Sequence, residues 1–84
     1  MRNKMIRERL AAYIKSVAVG EQSALKASEI AFGTMQLNGW EYSIRFGYRV
    51  VDQLFELPKH DRSICKTGDD HFYYDLTKTL GRRN

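Results

Sequence analysis

Eighty-four residues with ordinary apolar (43%) and charged (29%) shares make one folded domain, and exclude a disordered chain. A net charge of +4 favours an anionic partner, without requiring one. The single cysteine, Cys65, excludes an internal disulfide framework, no apolar run nears the roughly 20 residues of a membrane span, and no apolar stretch follows the charged Met1–Arg7 as a signal peptide would need; the expected setting is cytoplasmic.

Met1 to Val19 is predicted as an amphipathic helix, because Ile6, Leu10, Tyr13, Ile14 and Val17 form one stripe while Arg2, Lys4, Arg7, Arg9 and Lys15 lie mostly off it. Gly20 is a helix stop, followed by the polar link Glu21–Ala24. A second helix starts near Lys26 or Ala27, with Ala27, Ile30, Ala31 and Met35 as its inner face. Neither Ser23 nor Ser28 has Glu or Gln three residues later, so neither makes a full capping box. Gly33 costs about 1 kcal/mol against alanine in a helix, which predicts a short one. Leu37-Asn38-Gly39 is a turn, and Pro58, the only proline, predicts a boundary. Ser63–Lys66 and His71–Leu76 flank Thr67-Gly68-Asp69-Asp70 as the two strands of a hairpin, with Phe72, Tyr74 and Leu76 on the buried face. Residues 77–84 are expected to be a frayed basic tail of the single domain 1–84.

The stretch Trp40–Leu57 admits two readings. From Trp40 to Val50 apolar residues occupy every second position, a strand signature. Yet Ile44, Tyr48, Val51, Leu54 and Phe55 recur at helical spacing, and that pattern runs unbroken to Leu57. A helix from about Glu41 to Leu57 explains more residues and is the reading adopted. The expected fold class is therefore α+β, three helices followed by a C-terminal β-hairpin wing; the alternative is two helices packed on a small antiparallel sheet.

This order of elements resembles the winged helix-turn-helix family. Leu25-Lys26-Ala27-Ser28-Glu29-Ile30-Ala31 looks like the opening of the family's second helix, Ile44 to Leu54 is similar to a recognition helix, and Ser63 to Leu76 resembles the wing. Lys26 stands where a Ser or Thr cap is usual, the link from Ala31 to the third helix is long, and no glycine follows that helix. The resemblance implies a DNA-binding protein, a transcriptional regulator or an accessory factor in replication or recombination. Its third helix would enter the major groove and a dimer would supply a second half-site.

The candidate DNA-binding residues are Tyr42, Ser43, Arg45, Arg49 and Gln53 on the third helix, with Lys59, Arg62 and Lys66 around the wing. Arg45 and Arg49, four apart, share a helical face, and arginine can grip guanine bidentately. Against this stand Glu41, Asp52 and Glu56, which can pair with those arginines and repel phosphate. That mixed charge supports an alternative, a protein-interaction module such as a viral or plasmid-borne inhibitor of host machinery. Tyr42, Phe46, Tyr48, Phe72, Tyr73 and Tyr74 are read as core more readily than as a base-stacking platform. Asp69, Asp70 and His71 are consecutive turn residues, and Cys65 has no CxxC partner, so no metal or cofactor is expected. No catalytic motif is present in the sequence, and an enzyme is not expected.

Overall fold

The computed structural model describes residues 2–80. Helix α1 spans Asn3–Val17, a 3-10 turn Glu21–Ser23, strand β1 Leu25–Lys26, helix α2 Ala27–Leu37, helix α3 Ile44–His60, strands β2 and β3 Ile64–Lys66 and His71–Tyr74, and helix α4 Leu76–Leu80. The fold is α+β, three helices, a hairpin and a short fourth helix, with a three-stranded antiparallel sheet of order β1-β3-β2.

Strand β1 is absent from the sequence reading. It is two residues long and carries no pattern of its own; its partner lies far along the chain, Leu25 opposite Phe72 and Lys26 opposite His71. The same distant strand ends α1. Ala18 N–H still donates to Ile14 O (2.8 Å), but Ala18 O accepts from Tyr74 N (2.7 Å) and Gly20 N donates to Tyr74 O (2.9 Å). Gly20 sits at φ +88°, where a side chain would be strained, so the chain can turn out of the helix toward the sheet.

Ile6, Leu10 and Ile14 of α1, Ile30, Ala31 and Met35 of α2, Val50, Leu54 and Leu57 of α3, and Ile64 and Phe72 of the hairpin form the core. Helix α2 is the shortest of the first three helices, as Gly33 predicted. Gly33 faces α1, and a methyl group built there would overlap the Tyr13 ring and hydroxyl. The glycine thus permits a close helix contact, worth more than the propensity it forfeits. The N-cap is Lys26, which has no side-chain acceptor to offer; Glu29 Oε1 accepts from Lys26 N (3.0 Å) and supplies half of a capping box. Of Asn38-Gly39 only Gly39 has a positive φ (66°). Asn38 closes α2, its N and Nδ2 both donating to Thr34 O.

Helix α3 begins later and ends later than predicted. Ser43 is its N-cap, its Oγ accepting from Phe46 N (3.1 Å), and Trp40–Ser43 precede it without regular structure. Pro58 does not end it. Proline keeps a helical φ and forfeits only one bond, to Leu54 O, while Asp61 N closes the last turn on Leu57 O (2.9 Å). Of the predicted stripe Ile44, Tyr48, Val51, Leu54 and Phe55, Leu54 is fully buried and Val51 packs against the core, while Phe55 is 38% exposed with its ring edge-to-face against Phe72. Ile44 and Tyr48 are 69% and 70% exposed; Val50 and Leu57 fill the core beside Leu54. Leu76 is not a buried strand residue. Asp75 accepts from Thr77 N and Oγ1, the chain turns, and Leu76 opens α4 half-exposed, so residues 76–80 are helical instead of frayed. The remainder of the expected tail, residues 81–84, lies outside the described residues.

Candidate nucleic-acid interface

Helix α3 has three faces. The inner face, Val50, Leu54 and Leu57, holds it on the core. One flank meets α1 and is polar: Arg49 Nε donates to Asn3 Oδ1 (3.0 Å), and Arg7 Nη1 donates to Gln53 Oε1 (2.5 Å). Both pairs are four residues apart on their helices, so the two bonds are successive rungs along one seam. The other flank meets α2 and is apolar.

The seven charged or polar readers and Tyr42 fall into separate groups. Tyr42, Ser43, Arg45 and Arg49 lie at the start of α3. Tyr42 is 63% exposed and its ring covers Gly47, where an added Cβ would lie 3.1 Å from it. Ser43 is committed to capping the helix. Arg45 is exposed and makes no hydrogen bond or ion pair among the described residues, so the anticipated Glu41–Arg45 pair does not form. Gln53 is half-buried and held by Arg7, which makes it part of the seam. Lys59 stands ~21 Å further along the helix than Arg45, at 1.5 Å per residue. It pairs with Glu56 at 3.6 Å, with both groups largely in water. Arg62 is exposed beyond the helix end.

The hairpin tip is acidic. Lys66 Nζ sits 3.0 Å from Asp70 and 6.0 Å from the Phe55 ring centre. Asp70 adopts φ 61°, and Thr67 Oγ1 donates to Asp69 while accepting from His71 N. The Thr67 hydrogen bond holds the Asp69 carboxyl below the usual carboxylate range, so the tip carries two negative charges around one neutralised lysine. Among the described residues no three His, Cys, Asp or Glu side chains converge as metal ligands.

Sequence reading missed two features. On α1, Lys4 and Arg7 line a cleft of about 290 Å³ with His60 and the two acids Glu8 and Asp61, beside the seam; only the off-stripe position of Lys4 and Arg7 pointed to it. Between α2 and α3 lies an open groove of about 560 Å³, walled by Phe32, Met35, Tyr42, Ile44, Tyr48 and Val51 and lined by no charged side chain. Its signal was an apolar stripe on α3 wider than a core contact needs. At the far end of α3, burial pushes the Asp61 carboxyl up, but hydrogen bonds from Ser63 (2.6 Å from Oγ) and Lys15 (2.9 Å) outweigh it and hold the group below its ordinary value.

Comparison with protein-family models, with curated proteins and with solved structures found no match to this chain.

Proposed function

We propose that the chain is a small winged-helix DNA-binding protein, serving as a transcriptional regulator or as an accessory factor in replication or recombination. The observation that carries this reading is the exposed start of α3. Arg45 is free to reach outward, and Arg49 lies one turn on, against α1 where Lys4 and Arg7 add positive charge. The Arg49–Asn3 and Arg7–Gln53 bonds orient the two guanidinium groups along the seam. Such a surface suits phosphate contact, with Arg45 nearest a base edge. The hairpin contributes shape more than charge, because its tip is acidic.

The test is a mobility-shift series on random duplex at rising salt, with Arg45→Ala/Arg49→Ala as the comparison. The affinity should fall steeply with salt, and the double variant should lower the log–log slope by about 2. No binding at about 50 mM salt would sink the proposal.

One observation favours a second reading, a protein-interaction module. The uncharged groove between α2 and α3 exposes an apolar surface of the kind that protein partners cover. Capture from lysate with and without nuclease separates the two readings, since capture carried by DNA disappears with nuclease.

A further inference from the structure

The groove between α2 and α3 is lined by no charged side chain, although 24 of the 84 residues are Lys, Arg, Asp or Glu. Phe32, Tyr42, Ile44 and Tyr48 are each between 60% and 70% exposed, and all four wall it. Isolated exposed apolar side chains are ordinary, whereas four on one groove call for a covering partner. We infer that a second copy of this chain covers it, making a two-fold dimer through α2 and α3.

Three observations favour this occupant. Two copies each carrying +4 repel, so they meet most readily where charge is sparse, and the lining of this groove carries none. A two-fold interface also needs a self-complementary patch. Here the same surface supplies projecting aromatic rings, Phe32 from α2 and Tyr48 from α3, and a hollow of about 560 Å³ between those helices. The area agrees as well. The four side chains leave on the order of 500 Å² in water. A standard-size interface buries ~800 Å² on each partner, of which about 57%, or ~450 Å², is apolar.

This inference does not require nucleic-acid binding. The α1 flank of α3, with Arg49 against Asn3, faces away from the α2 flank that holds Gly47 and Val51, so the dimer leaves the cationic seam open.

The experiment is sedimentation of the whole chain, without nucleic acid, from about 1 to 100 µM. The wild-type chain should move from monomer to dimer across that range. Tyr48→Glu and Phe32→Glu should each raise the dissociation constant at least tenfold, while Gln22→Glu, in the 3-10 turn, should leave it unchanged. All three lower the net charge, so general repulsion cannot account for the difference. Far-ultraviolet circular dichroism confirms that each variant is folded. A wild-type chain monomeric at about 100 µM overturns the assignment and leaves the groove to a foreign protein. A dimer that persists in both groove variants overturns it too, by placing the interface elsewhere. Duplex binding measured on the same samples reports separately on the DNA proposal.

Discussion

Tyr13 of α1 lies over the bare Cα of Gly33 in α2, in the space a side chain would take. Gly33→Ala gains about 1 kcal/mol of helix propensity but forces the half-buried tyrosine to shift, at a cost of about 1–3 kcal/mol. The expected result is a net loss near 1 kcal/mol. In Gly33→Ala/Tyr13→Leu the helix gain should reappear relative to Tyr13→Leu alone. Thermal unfolding of the four chains checks the sign; additive effects would show that the two residues do not compete for space.

Thr34 sits one residue on and is fully buried, and its Oγ1 finds no hydrogen-bond partner among the described residues. Thr34→Val keeps the branched shape and removes the unpaired hydroxyl. It should stabilise the fold by about 1 kcal/mol, seen as a higher denaturant midpoint at unchanged m-value.

Asp61 should make stability depend on acidity. Its folded pKa is lowered, so its contribution is complete above the ordinary carboxylate value and is lost as pH falls through the lower folded value. The stability gap between wild type and Asp61→Asn should be widest near neutrality and close in acid below about pH 4. Melting temperatures of both chains between pH 7 and about pH 2 test this, and a gap that does not narrow in acid would refute it.

Position on α3 and the hairpin should separate the arginines from the lysines in DNA binding. Arg45→Ala should weaken binding to duplex by several-fold and reduce the salt slope by about 1. Lys66→Ala should have little effect, because Asp70 already balances that charge at 3.0 Å. Equal losses for the two would place the hairpin at the phosphates together with α3, against this expectation.

How much of this was legible differs from element to element. Alternation and helical spacing competed over Trp40–Val50, and no strand forms there: the chain is irregular to Ser43, then helical once that hydroxyl takes up Phe46 N–H. Periodicity tells which residues share a face. It does not tell whether the face is covered, and so Ile44 and Tyr48 passed for core. The core positions of α1 and α2 were readable because Ile6, Leu10, Ile14, Ile30 and Met35 have no competing pattern. Strand β1 and the Arg7–Gln53 seam depend on partners distant in the chain, which local spacing does not encode. Of the candidate site, Arg45 and Arg49 were found by residue type and spacing, whereas Lys4 and Arg7 belong to it only because α1 crosses beside α3.

The central place of β3 sets the order in which the molecule can assemble. Its partners are β1, some 45 residues earlier, and β2 just before it, and Tyr74 also holds the exit of α1. The three long helices all precede this strand in the chain, and their contacts with one another do not need it. Folding should therefore show a fast helical phase and a slower one that waits on closure of this long loop, with the unpaired edge of β1 exposed to misassociation in the interval.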